Sequence, residues 1–157
     1  MLFPELTVPG PIDLPLLPGE RRAFQGVVGV PHTLLLVADV GAADVSARGR
    51  ELRSAPQFQP TGTNVSFLGP DEAPEEAPWR LRTYERGVEG ETLACGTGTV
   101  AAALALAGAG LATLPVRIRS AGGDIFSVTG SLRGGTAREV WLCGEGRLVF
   151  EGTLRPG

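Results

Sequence analysis

The chain has 157 residues and a formal net charge of −3, with 43% apolar and 20% charged side chains, so it can bury one core but is short for two lobes. Acids and bases are interspersed, which leaves neither a basic face for nucleic acid nor an acidic tail. The two cysteines, Cys95 and Cys143, have no CxxC spacing and no His cluster, so neither a disulfide framework nor a metal site is indicated.

All fourteen basic residues are arginine, which removes the Schiff-base lysine that pyridoxal phosphate chemistry ordinarily uses. Met1 is followed by Leu, Phe and Pro with no cationic run, and no apolar stretch is long enough to span a bilayer. The expectation is one cytoplasmic domain over 1–157, with no membrane partner.

In chain order, residues 4–19 carry five prolines among short apolar pieces, which suits an irregular lead-in or edge strands. The β-rich runs 24–30 and 33–40 flank Pro31-His32, which places His32 at a bend. Residues 42–54 pattern as a short, mostly exposed helix with Val45 and Leu52 at helical spacing. Strands are expected at 64–68 and 79–84, with a solvated loop over 69–78. The run 99–114, TVAAALALAGAGLATL, is apolar on every face, and such a helix must be enclosed on all sides. Four more strand-like runs follow, at 116–120, 125–129, 139–143 and 147–154, bounded by Gly-rich turns. The expected fold is α+β, a mixed, barrel-like sheet of about eight strands wrapped around one buried helix.

The stretch 85–99, ERGVEGETLACGTGT, places Cys95 directly before Gly96, Thr97, Gly98 and the apolar helix. At a helix N-terminus, unpaired N–H groups and the dipole favour a thiolate and lower its pKa. The same N–H groups can bind a carboxylate, with glycines allowing close approach and Thr97 and Thr99 adding hydroxyl donors. The plainer reading is a small buried thiol capping a Gly/Ala helix. GTGTVA also fits G-x-G-x-x-A in form. However, 87–94 makes a poor strand, and Arg117 and Arg119 stand where that motif needs an acid. Cys143, within an apolar strand, reads as structural.

YERGVEGETLACGTGTVAAALAL closely resembles the signature around the second catalytic cysteine of diaminopimelate epimerases. GVVGVPHTLLLVADV and TGTNVSFL resemble further segments of that family in the right order, so the resemblance covers nearly the whole chain. It implies a cofactor-independent epimerase with two cysteines on opposite faces of the substrate, one thiolate removing the α-proton and the other thiol returning one. Carried onto this chain, it implies Cys95 as acid/base, with His32 and Glu85 setting thiol protonation. It implies Gly96 and Thr97 as the cradle for the α-carboxylate, and Asn64, Glu85 and Arg86 as the grip on the distal end of diaminopimelate.

The resemblance is to the family's C-terminal lobe, and the first lobe with its partner cysteine has no counterpart here. Val30 stands where the family usually has Asn, and VEGE holds one residue more than the usual spacing. The implied assembly is a homodimer or a pairing with a separate N-terminal lobe. The alternative function is a non-catalytic amino-acid-binding or interaction protein derived from such a lobe.

Overall fold

The computed structural model describes residues 1–146, 148 and 150–153. Ten strands form one mixed sheet among these residues. They are β1 (Leu6–Thr7), β2 (Gly10–Pro11), β3 (Glu20–Val28), β4 (Val30–Val37), β5 (Asn64–Pro70), β6 (Trp79–Glu85), β7 (Gly90–Thr92), β8 (Val116–Arg119), β9 (Ile125–Arg133) and β10 (Thr136–Cys143). The helices are α1 (Val45–Arg53) and α2 (Gly96–Gly108). The sheet order is β1-β10-β9-β8-β6-β5-β4-β3-β2, with β7 added on β6. The β4–β5 and β6–β8 pairs are parallel and the others antiparallel.

The expected mixed, barrel-like sheet around a buried helix is present, with ten strands against the expected eight or so, and the lead-in supplies both of its edges. β1 and β2 lie at opposite ends of the sheet order, yet only two residues separate them in the chain. Val8 donates to the Gly135 carbonyl at 2.9 Å as the segment crosses from one edge toward the other. Two-residue edge strands, with Pro9 between them and Pro11 within β2, leave little free ladder for another chain to pair with.

Period-2 alternation decides what faces α2. Phe24 and Val28, Leu34, Leu68, Leu81, Val116 and Ile118, Val128, Ala137 and Val140 all point inward and pack around Val100–Leu106. The four alanines within that stretch let strands approach from every side, and each fully buried leucine contributes about 1.5–3 kcal/mol. α2 begins three residues before the expected 99 and stops at Gly108 rather than at 114. Gly110 adopts φ 70°, and the Leu111 N–H turns back to the Leu106 carbonyl at 2.9 Å, which ends the helix well before Pro115.

α1 covers the opposite face of β4, β5 and β6. Asp44 caps it by accepting from the Ala47 N–H at 3.0 Å. Val45, Arg48, Gly49 and Leu52 form its buried stripe over Leu35, Phe67 and Tyr84. The helix is therefore less exposed than its charges suggest. Arg48 is buried because Glu20, from β3, meets it at 2.9 Å, and the Pro15 carbonyl accepts a further hydrogen bond at 2.6 Å.

In an open helix Gly→Ala stabilises by about 1 kcal/mol. A Cβ on Gly49, however, would lie 2.5 Å from the Tyr84 Cβ. Gly49→Ala is therefore expected to lower the urea-unfolding free energy by about 1–3 kcal/mol. A stabilised variant would contradict this close packing of α1.

Several other expectations are corrected. The β3–β4 reversal falls at Gly29, with φ 71°, and not at Pro31-His32, so His32 lies inside β4 opposite Gly26. Strand β7 falls in a stretch read as irregular. Cys143 ends β10 and is exposed, with no buried packing role. The expected strand at 147–154 begins and ends on residues outside the described set. No helix among the described residues is long and apolar enough to cross a membrane.

Candidate active site

The inner face of the sheet changes from apolar to polar toward the N-terminal end of α2. On β4 the inward residues are Leu36, Leu34 and His32, on β5 Leu68, Ser66 and Asn64, and on β6 Leu81, Thr83 and Glu85. Parallel register sets His32 beside Asn64, and antiparallel register sets Ser66 opposite Thr83. The Ser66 and Thr83 hydroxyls are hydrogen bonded at 2.9 Å. Strand alternation alone therefore gathers His32, Asn64 and Glu85, which are far apart in sequence, around the mouth of the helix.

Cys95 is the N-cap residue of α2, in an extended conformation at φ −129° and ψ 102°. The Thr99 N–H and hydroxyl both donate to the Cys95 carbonyl at 2.9 Å. Thr99 is thus occupied within the helix and is not one of the cradle donors expected of it. The first-turn amides of Gly96 and Thr97 have no partner within the helix. The Gly98 N–H is directed at the sulfur. A Cβ on Gly98 would stand 3.1 Å from the Cys95 Sγ and 3.4 Å from the Ser66 Oγ, so the thiol would have to give by a few tenths of an ångström to admit a side chain there. Thr97 Oγ1 links the two sides of the site, 3.8 Å from the Cys95 Sγ and 3.1 Å from the His32 Nε2.

The electrostatics correct the expectation of a lowered thiol pKa. Burial pushes the Cys95 thiol up, and the Glu85 carboxylate adds to that shift by charge and by accepting a hydrogen bond. The Gly98 N–H and Thr97 hydroxyl favour the thiolate but do not outweigh burial. Cys95 is therefore held as a thiol, the form that donates a proton.

His32 is fully buried, and burial pushes its pKa down to about 4, with the Arg86 cation lowering it further. The Val28 carbonyl opposes part of this shift, although His32 Nδ1 makes no hydrogen bond. The ring is neutral at neutral pH.

The β6–β7 turn holds the remaining expected residues. Asn64 Oδ1 accepts from the Arg86 N–H at 2.8 Å, and Arg86 Nη1 donates to the Thr61 carbonyl at 2.8 Å. Arg86 is thus anchored at the rim. Glu89 adopts φ 57° and pairs with Arg53 at 3.0 Å, so the long turn is tied to α1 while Glu85 stays beside Cys95. His32, Asn64, Glu85, Cys95, Gly96 and Thr97 converge, and Arg86 borders them. Ser66, Thr83 and Thr92 were not among the residues singled out in the sequence. The alternation of β5 and β6 around the expected Asn64 and Glu85 was the available signal for the first two.

The family model described as diaminopimelate epimerase matches residues 24–130, a span that contains every one of these site residues. The chain belongs to the diaminopimelate epimerase family. A diaminopimelate epimerase of Gemmatimonas aurantiaca is 40% identical over an alignment of 153 residues that covers 90% of this chain and 54% of the relative. That of Aquifex aeolicus is 42% identical over 154 residues, 96% of this chain and 53% of the relative.

The chain thus spans about half the length of the curated diaminopimelate epimerases it matches. Among solved structures, a phenazine biosynthesis protein of the PhzF family from Enterococcus faecalis superposes with a TM-score of 0.55 at 15% identity, covering 92% of this chain and 56% of that one. At that identity the likeness concerns the fold alone.

Proposed function

We propose that this chain is the second lobe of a diaminopimelate epimerase-type isomerase, working in the cytoplasm in lysine and cell-wall precursor synthesis. The observation that carries the reading is a buried thiol at the N-terminus of α2, flanked by Glu85 and a neutral His32. In this reading LL- and meso-2,6-diaminopimelate interconvert without a cofactor. A thiolate from a first lobe removes the α-proton, and the Cys95 thiol delivers one to the opposite face. In the reverse direction the roles exchange.

The α-proton is weakly acidic, so the developing carbanion needs its carboxylate held by preorganised donors, a task suited to the Gly96 and Thr97 amides. Asn64, Glu85 and Arg86 would hold the distal amino and carboxylate groups, with the Arg guanidinium released from the Thr61 carbonyl to form a planar pair.

The first lobe is assigned to another chain or to a longer form of this one, and a homodimer of such pairs is the proposed assembly. Leu93 and Val88, 75% and 62% exposed, stand on the segments that flank the mouth, which suits a face normally covered.

The test is incorporation of deuterium at the α-carbon of diaminopimelate in deuterium oxide, followed by NMR with and without an added first lobe. Exchange that requires the added lobe is the expected result. Arg86→Ala is expected to reduce the preference for a diacid over a monocarboxylic diamine by at least about tenfold, in line with loss of a charge-assisted bidentate contact. Ligand binding without exchange under either condition would replace this reading with a non-catalytic amino-acid-binding protein.

A further inference from the structure

We propose that Thr92 is a positioning residue of this site: its hydroxyl fixes the Glu85 carboxylate beside the Cys95 thiol, so that Thr92 governs thiol protonation through Glu85. The use of that thiol in epimerisation rests on the proposed function, whereas the linkage itself is a property of the chain.

The geometry comes from the β6–β7 hairpin. Thr92 stands opposite Thr83, which places it on the inner face, while Gly90 stands opposite Glu85. Gly90 has no side chain to occupy the space across from the carboxylate, and the diagonal neighbour, Thr92, donates to Glu85 Oε1 at 2.6 Å. One carboxylate oxygen is thereby held. Rotation of the acid away from Cys95 would break a charge-assisted hydrogen bond.

The outer face of the same hairpin is anchored separately. Glu91 takes a bidentate pair from Arg82 at 2.7 and 2.8 Å, and Arg82 Nη1 also donates to the Val40 and Ala43 carbonyls at 3.1 Å. The hairpin is therefore expected to persist without the Thr92 hydroxyl, which makes the positioning role separable from a structural one. The charged and titratable groups around the thiol are Glu85 from β6, His32 from β4, and Arg86 at the end of β6.

The experiment is the pH profile of iodoacetamide alkylation at Cys95, read by mass spectrometry on the whole chain in a Cys143→Ser background. The thiolate forms the S–C bond as iodide leaves, so the rate follows the thiolate fraction. Glu85→Gln removes the neighbouring negative charge and is expected to lower the midpoint.

Thr92→Val is expected to lower the midpoint by at least about 0.5 pH unit, a roughly threefold change in acidity. Thr92→Ser is expected to retain the original profile. In a Glu85→Gln background, Thr92→Val is expected to add nothing, because the hydroxyl acts only through the carboxylate. Thr92→Ala serves as the second truncation, with near-ultraviolet circular dichroism reporting the fold of each variant. An unchanged midpoint in a folded truncation overturns the proposal, and so does a shift that persists with Glu85→Gln. Since no epimerase activity is read, a failed exchange assay leaves this result standing, and the reverse also holds.

Discussion

Replacing Cys95 by serine is expected to lower α-proton exchange by about a hundredfold to ten-thousandfold in any preparation where the unmodified chain supports it, the range over which positioned proton transfer contributes to rate. Serine matches cysteine closely in shape, and the Gly98 N–H and Thr97 hydroxyl would still meet an oxygen in the sulfur's place. What changes is acidity. An alcohol gives up its proton far less readily than a thiol, so it can neither return a proton to a carbanion efficiently nor remove one in the reverse direction. Binding of diaminopimelate should change little, since the proposed cradle uses main-chain amides. The informative measurement is therefore exchange rate together with substrate affinity. Full exchange by Cys95→Ser would sink the acid/base assignment, whereas weakened binding with an unchanged rate constant would move Cys95 from chemistry to recognition.

The second large effect concerns stability and arises from His32. Its pKa is about 4 in the folded chain against an ordinary value of 6.5, because burial disfavours the imidazolium. The unfolded chain thus binds a proton through that interval that the folded chain refuses. Stability is complete above about pH 6.5 and falls as the pH drops toward 4. The contribution of this one ring amounts to roughly 3 kcal/mol, a substantial share of the 5–15 kcal/mol typical of a domain.

Carboxylates also contribute to acid destabilisation, so the measurement is a comparison. Urea unfolding of the unmodified chain and of His32→Gln is followed from pH 7 to pH 4. The unmodified chain is expected to lose more stability across that range than the variant. Parallel curves would mean that the ring reaches water or gains a proton-accepting partner at Nδ1.

Much of the architecture could be read from the amino acids because local pattern and global burial agree. The all-apolar run at 100–106 has no polar face to offer solvent, which dictates enclosure. The alternating runs of β4, β5 and β6 dictate which residues meet that helix. The glycine-rich motif around Cys95 fixes a reactive side chain at a helix terminus.

Where short-range signals competed, the reading failed. Pro31-His32 looks like a bend, but Gly29 supplies the positive φ that turns the chain, and Pro31 is accommodated within β4. β7 is three residues long and exists only because β6 offers it a ladder.

Sequence by itself determined the fold class and the central helix, which follow from the order and polarity of neighbouring side chains, and placed Cys95 before that helix; the other expected mouth residues came from the family resemblance. Tertiary structure decided the protonation of Cys95 and His32, the pairing of Arg48 with Glu20, and the hold of Thr92 on Glu85. Those properties depend on burial and on through-space distance between segments of the chain. No residue's immediate neighbours specify how much water it loses or which charge is brought against it.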